Sequence, residues 1–218
     1  MLFPRRLLSR RRGFSTLLLV GGLMACSTLF VMVAFVAPAS WVRSREVARL
    51  TRPAPAEVRA LEPGSALLLA ARLPEGAGAG PYDLALYFVE VEQEAEEGGG
   101  WLTTSPPAEQ VALLLEDGSR VAVRLPPNIP FFNAHVFEET EDLHRRYVGF
   151  YPAQLLTVEG TWEGGEVVTA RALYRGSPDA YVTYWQGRPL KSVTGGVICG
   201  GIGGVLLLLA LLAWLVGR

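Results

Sequence analysis

Residues 14–38 read FSTLLLVGGLMACSTLFVMVAFVAP and residues 195–217 read GGVICGGIGGVLLLLALLAWLVG, two uncharged apolar runs in a chain of 218 residues. A helix rises about 1.5 Å per residue, so each run is long enough for a hydrocarbon core of about 30 Å. The runs therefore predict two transmembrane helices that flank one water-facing domain. The predicted divisions are a basic N-terminus (1–13), helix 1 (14–38), a stalk or linker (39–63), a β-rich domain (64–192) and helix 2 (193–217).

The formal net charge of −1 hides an uneven distribution. All 21 acidic residues lie between Glu46 and Asp179, whereas five arginines precede the first apolar run. Cytoplasmic flanks are rich in Lys and Arg, and the first helix usually sets the orientation. We therefore predict a two-pass protein with both termini cytoplasmic and the domain extracytoplasmic. One lysine against 19 arginines is typical of a GC-rich genome and indicates a bacterial inner membrane.

The first apolar run also has features of a cleavable signal. Leu23–Cys26 resembles a lipoprotein cleavage box, and Ala37–Ala39 is a second conceivable cleavage site. The apolar run continues past Cys26 to Val36, which favours a retained helix. Cys26 and Cys199 lie at different depths of the two runs, so no intrachain disulfide is expected.

Between the runs, the hydrophobic pattern changes to that of strands. Ser65–Leu73 is an apolar run of strand length, and Leu84–Gln93 alternates in its second half, with Phe88, Glu90 and Glu92 on one face. Two further pairs of segments each flank a glycine-containing turn and predict β-hairpins. These pairs are 110–115 with 119–125, and 155–162 with 166–174.

The proline-marked segment 126–152 separates the two hairpins, and its middle, Phe137–Tyr147, predicts a short helix. About six strands, two tight hairpins and one insertion favour a mainly-β, OB-like barrel with a short helical insertion. A β-sandwich is the alternative.

Four stretches between the apolar runs carry a family resemblance. They are YFVEVE (87–92), a glycine-rich loop before Trp101, LLLEDGSRVAVRLP (113–126) and LTVEGTWEGGEVVTARAL (156–173). Together they resemble the GIDE-type domain of mitochondrial membrane-anchored ubiquitin ligases, which lies between two transmembrane helices; prokaryotic relatives are similar to the membrane half alone. The ligases carry a RING after the second helix, whereas this sequence ends at Gly217-Arg218. The resemblance therefore implies no ubiquitin transfer.

Both histidines fall within one acidic segment, 133–147. On a helix, His144 would stack over Glu141 and His135 over Glu138, and imidazole with carboxylate on one face is a weak candidate for a divalent metal site. A solvated helix with internal ion pairs explains the same residues and is the favoured interpretation. No metal and no cofactor is predicted.

Small residues recur every four positions in both apolar runs, a spacing that lets helix backbones approach closely. The pattern predicts helix packing, either between the two helices of this chain or with a partner's helix. The candidate packing residues are Gly196, Gly200, Gly204, Gly21 and Ala25. Trp41 and Trp214 are the predicted anchors at the membrane interface.

No nucleophile elbow, zinc-protease, dinucleotide-binding or P-loop pattern occurs in the sequence. We therefore predict a non-enzymatic, membrane-anchored binding or assembly module. Its expected partners are the lipid bilayer and another membrane or envelope protein or a second copy of itself; an acidic domain argues against nucleic acid. The alternative is a membrane-bound hydrolase with an active site that no motif encodes. A binding module should show a free strand edge or an exposed apolar patch, and an enzyme a concave pocket with convergent polar groups.

Overall fold

The computed structural model describes residues 20–25, 27–78, 80–93, 100–140 and 144–216. The chain divides into two compact units, one of Met1–Ala48 with Val182–Arg218 and the other of Arg49–Tyr181. The described strands are β1 (Ala66–Arg72), β2 (Leu86–Gln93), β3 (Gly100–Ser105), β4 (Gln110–Leu114), β5 (Arg120–Arg124), β6 (Phe131–Phe132), β7 (His135–Glu139), β8 (Arg145–Phe150), β9 (Leu155–Gly164) and β10 (Val167–Arg175). The helices are α1 (Val20–Arg49), α2 (Pro55–Val58) and α3 (Pro178–Val216).

Two of these helices are long and apolar enough to cross a membrane, over Val20–Arg49 and Pro178–Leu212. Helix α3 begins at Pro178, well before the predicted start at residue 193, because its first turn is capped. The Ser177 hydroxyl accepts a hydrogen bond from the Ala180 amide at 3.2 Å, and Asp179 places a negative charge at the positive end of the helix dipole. The prediction of two long apolar helices is confirmed.

The two long helices run antiparallel within their own unit. The first helix lies against the second at two glycines, since a Cβ built at Gly22 would meet the Leu207 side chain and one built at Gly200 would meet Leu29. Most apolar side chains on both helices are nevertheless exposed, among them Phe30, Phe35, Ile198 and Leu211. Such a surface is expected for helices whose outer faces contact lipid rather than water.

The second unit contains a closed five-stranded barrel. Around it the strands follow the order β1-β4-β5-β10-β9, and all neighbours are antiparallel except β5 and β10. The parallel pair, in which Val123 lies opposite Val168, closes the barrel. This connectivity is compatible with an OB-type barrel and not with the β-sandwich alternative. Both predicted hairpins are confirmed, as β4–β5 and β9–β10.

The β4–β5 turn shows why the sequence turns where it does. Gly118 adopts a φ of 82°, which a residue with a Cβ rarely does. The Asp117 carboxylate accepts hydrogen bonds from the Ser119 hydroxyl and amide, at 2.6 and 2.9 Å. These bonds lower the pKa of Asp117 below its usual value, the hydroxyl contributing most, because they stabilise the ionised carboxylate.

The core of this unit is apolar and lies mainly inside the barrel. Alternate residues of β1, from Leu67 to Ala71, point into it, as do Val158 of β9 and Val168 of β10. Trp162, 3 % exposed, fills the same core, as expected for an aromatic on a strand. Fully burying a side chain of this kind contributes about 1.5–3 kcal/mol.

The remaining long strands form a separate four-stranded sheet, in the order β3-β2-β8-β7. The short helix predicted over Phe137–Tyr147 is therefore wrong, because 135–139 and 145–150 pair as antiparallel strands. The β-forming side chains of these strands pair with each other and with β2, and this tertiary pairing outweighs the local helical spacing. The helical insertion of the β unit is instead a 3-10 turn at Pro81–Asp83, between β1 and β2.

Candidate protein-binding surface

The four-stranded sheet has two outer strands, β3 and β7, and neither pairs with a further strand in the part of the chain that the structure describes. The two edges differ in chemistry. Strand β7 carries Glu138 and Glu139, whereas β3 carries no charge from Gly100 to Ser105. Charged side chains are a common protection of exposed strand edges, so β3 is the less protected edge. Its Leu102 is 49 % exposed.

One face of this sheet carries a network of charged and aromatic side chains. Register places Glu90, Arg146 and Glu138 in one row across three strands, with Arg146 contacting Glu90. The Arg146 guanidinium lies over the Trp101 ring, 4.2 Å from its centre. Trp101 in turn meets the His144 ring edge-on at 5.0 Å. The network therefore holds Trp101, a residue of the unprotected edge strand, in one position.

His144 ties this network to two acidic residues. Its Nδ1 lies 2.5 Å from Oε2 of Glu92, and its Nε2 lies 3.6 Å from Oε2 of Glu138. Glu92 and Glu138 stand on opposite sides of His144, because β2 and β7 both neighbour β8. Two carboxylates therefore approach one imidazole at this end of the sheet.

The opposite face is aromatic. Tyr82 stacks on Phe137 with ring centres 4.6 Å apart and meets Tyr147 edge-on at 5.4 Å. Its hydroxyl donates a hydrogen bond of 2.7 Å to Glu139. Tyr82 has a φ of 57°, a left-handed conformation that costs a residue with a Cβ about 1–3 kcal/mol. These contacts hold the strained residue over the sheet.

At the far end of the same face, the His135 ring lies within hydrogen-bond distance of two donor groups. Arg175 NH1 lies 2.7 Å from its Nε2, and the Gln154 amide nitrogen lies 2.8 Å from the same atom. An acceptor nitrogen requires a neutral imidazole. Burial, followed by repulsion from the Arg175 guanidinium, lowers the pKa of His135 below its usual value.

This geometry predicts a pH dependence of stability. The folded state holds the pKa of His135 below its unfolded value of about 6.5. The neutral imidazole therefore contributes fully to the free energy of unfolding above that pH, and this contribution is lost as the pH falls toward the folded pKa. We expect the melting temperature of the full chain to fall between pH 7.5 and 5.5. His135→Gln, which keeps an acceptor for Arg175, should show a smaller fall. An equal fall in both proteins would contradict the assignment to His135.

The structure does not assemble the candidate metal site. His135 lies opposite Gly149 at one end of the β7–β8 pair, and His144 lies beyond the other end. His135 and Glu138 point to opposite faces of the sheet because three positions separate them. Only Glu138 and His144 come together, and Glu141 lies outside the described residues. Within the described ranges, no group of three or more His, Cys, Asp or Glu side chains is placed to hold a metal ion.

The candidate packing residues divide between two sides of α3. Gly196 and Gly200 are buried, whereas Gly204 is exposed and a Cβ there would meet nothing within 4 Å. In α1, Gly21 lies near Leu206, and Ala25 is half-buried. The helices of this chain therefore use Gly200 for their own packing, and Gly204 faces away.

The two predicted interface anchors are both helical. Trp41 in α1 is half-exposed, and the Arg45 guanidinium lies 3.5 Å from the centre of its ring. Trp214 lies in α3, and its side chain is outside the description. Sequence patterns placed Glu90 and Glu92 on one face but gave no sign of Arg146 or Tyr82, because their roles depend on strands distant in sequence.

A groove of about 200 Å³ adjoins the edge strand β3. It is lined by Phe88, Glu90, Thr103 and the loop 127–130. Pockets for small-molecule ligands usually measure about 300–1,000 Å³. The groove is smaller than such pockets and lies on the face of the sheet that also carries Trp101.

A larger cavity, of about 360 Å³, lies elsewhere in the same unit, beside Pro53, Pro55 and Leu68. Its charged lining includes Arg52 and Asp179, which pair at 2.5 Å. Arg52 and Asp179 neutralise each other, and Glu116 is the other charged residue of the lining.

Comparison with protein-family models, with curated proteins and with solved structures gave no match to this chain.

Proposed function

We propose that this protein is a non-enzymatic, membrane-anchored binding module whose β-rich unit recognises an extended segment of another envelope protein. The observation that carries the proposal is the uncharged edge strand β3, which lies outside the closed barrel and includes Trp101. An extended peptide can add to such an edge through main-chain hydrogen bonds, while side-chain contacts supply specificity.

Charge indicates the chemistry of the partner. The unit Arg49–Tyr181 has ten arginines and twenty acidic residues. Segments 81–105 and 135–150, which contain the four-stranded sheet, account for ten of those acidic residues and only two of the arginines. Complementary charge steers association and selects partners. A segment with basic side chains therefore fits this sheet better than an acidic or neutral one.

Membrane topology is part of the proposal. We place both long helices across a bacterial inner membrane, with both termini cytoplasmic and the β unit extracytoplasmic. The five arginines ahead of the first apolar run support this orientation. The resemblance to GIDE-type proteins remains a proposal that rests on the four sequence stretches that carry it.

The test is site-specific photo-crosslinking in native membranes. A photo-reactive phenylalanine placed at Leu102 of β3 should give one discrete adduct, at least several-fold stronger than the same residue at Val136 of β7. Val136 is a control of matched exposure on the opposite edge and opposite face of the sheet, since it is 52 % exposed against 49 % for Leu102. Thr104→Lys, which adds a charge to the β3 edge, should abolish the adduct because charge protects an edge from strand addition.

Three outcomes would contradict this proposal. Equal adducts from both edges would indicate non-specific proximity, and no adduct from either would remove the binding edge. An adduct of twice the mass of this chain would show that the edge binds a second copy and not another protein. High salt should weaken a genuine adduct, because exposed charges attract less strongly when screened.

A further inference from the structure

A belt of basic and aromatic side chains surrounds the two long helices at one level, and we propose that it binds the phosphate-bearing headgroup of an anionic phospholipid. The inference rests on the proposed membrane insertion. Its residues all belong to the helical unit and are Trp41, Arg43, Arg45, Tyr184, Trp185, Arg188 and Lys191.

The antiparallel pairing of the helices sets this level. Gly22 lies against Leu207, Gly200 against Leu29, and the Arg43 guanidinium carbon lies 5.4 Å from the centre of the Trp185 ring. The antiparallel pairing of the two long helices therefore continues in register from their apolar part to the belt. Two segments more than a hundred residues apart in sequence place their cations and aromatic rings beside each other.

The cations of the belt are positioned by the rings. Trp185 receives a second guanidinium, from Arg188 at 5.1 Å, and Arg188 also lies 5.2 Å from the Tyr184 ring. Contact with an aromatic face attracts a guanidinium through the ring quadrupole. Arg43 and Arg188 therefore both approach the one indole ring.

The charge of the belt fits an anion. Segments 41–48 and 182–191 contain three arginines and one lysine, with Glu46 as their only acidic residue in the sequence. Glu46 lies 3.6 Å from Arg43, so it neutralises at most part of the charge. A net positive charge of about three next to a bilayer attracts anionic headgroups.

Exposed apolar side chains adjoin the belt and distinguish a lipid from a free phosphate. Leu190 is 71 % exposed, and Val193 and Phe35 are also open to their surroundings. Tryptophan and tyrosine concentrate at the headgroup level of membranes. A phospholipid fits both the belt and the exposed apolar surface, because its phosphate can lie at the belt and its acyl chains along that surface. Inorganic phosphate fits only the belt.

The test uses the full chain in phosphatidylcholine micelles, with native mass spectrometry to count retained lipids. Phosphatidylglycerol should be retained about tenfold more than phosphatidylcholine. The double variant Arg188→Ala with Lys191→Ala should lose about tenfold or more of that preference, since two charges at about 1 kcal/mol each give a factor above ten. Arg120→Ala with Arg171→Ala, two exposed arginines of the barrel, is the matched control and should keep it.

Equal retention of the two lipids by the wild-type chain would overturn the belt site. An equal loss of the phosphatidylglycerol preference in the control variant and in the belt variant would also overturn it. Displacement of phosphatidylglycerol by inorganic phosphate at similar concentration would show a simple anion site in place of a lipid site. Failure of membrane insertion is seen separately, since an uninserted chain leaves native membranes on alkaline extraction. That result would contradict the proposed function as well.

Discussion

Phe150→Ala should lower the free energy of unfolding of the β unit by about 3–5 kcal/mol, the range for a large aromatic side chain removed from a well-packed core. Phe150 is fully buried and belongs to the core cluster, although it lies in β8 of the four-stranded sheet and not in the barrel. Its ring lies 4.8 Å from that of Phe131, whose strand β6 pairs with β10 of the barrel. The Phe150 ring therefore helps to join the sheet to the barrel, together with Leu86 of β2 in the same core cluster.

The measurement is chemical denaturation of the full chain in mild detergent, followed by the fluorescence of its tryptophans. Trp162 is the useful reporter, since it is buried in the same core. Phe150→Leu is the control, because it retains most of the apolar volume and should cost less than about 2 kcal/mol. Similar losses in the two variants would show that Phe150 does not pack as described.

A functional consequence follows from the same contact. The β3 edge is held by the sheet that Phe150 joins to the barrel, and Phe131 also contacts Phe88 of β2 at 5.0 Å. Loosening this junction should weaken the photo-adduct from Leu102 before the barrel unfolds. A denaturant series should show the loss of the photo-adduct before the loss of the folded barrel. This order would distinguish a specific binding surface from non-specific contact.

Local chemistry explains how much of the fold the sequence predicts. The β4–β5 and β9–β10 hairpins are evident because a glycine-containing turn lies between two runs of strand pattern, and each turn adopts positive φ at a glycine, Gly118 and Gly165. The long apolar helices are evident because their length and composition are local properties. These features need no knowledge of distant partners.

Pairing between distant segments explains what the sequence does not predict. The segment Phe137–Tyr147 has a plausible helical spacing, yet its strands form because β8 pairs with β2, about 55 residues earlier, as in Glu90 with Arg146. Closure of the barrel by β5 and β10 likewise joins residues over 40 positions apart, such as Ala122 and Val167. Local patterns give no indication of such register.

The candidate site shows the same division. Alternation placed Glu90 and Glu92 on one face, and the structure has both there with Trp101. The metal hypothesis depended on a helix that is absent, so its two histidines end on different parts of the sheet. The edge strand β3 became recognisable only when β2 was seen to pair with β8 on its other side.

The helical unit gives the second large effect. A Cβ at Gly200 would lie 2.9 Å from Cβ and 3.0 Å from Cγ of Leu29, inside the usual carbon contact of about 3.5–4.0 Å. Gly200→Leu should therefore force the helices apart and destabilise their packing by about 1–3 kcal/mol. Gly204→Leu is the matched control, since a Cβ there meets nothing within 4 Å.

Energy transfer between dyes on the two helices measures this effect. Val20 and Leu208 are exposed and lie at one level of the hairpin, because Gly22 and Gly21 lie beside Leu207 and Leu206. With the native cysteines replaced by serine, dyes at Val20→Cys and Leu208→Cys should lose transfer at a lower SDS fraction in Gly200→Leu. Gly204→Leu should keep the wild-type midpoint. If Gly204→Leu shifts the SDS midpoint for loss of energy transfer as far as Gly200→Leu does, the described packing of these helices is wrong. A fall in oligomer mass with Gly204→Leu alone would instead assign the outward glycine to a partner's helix.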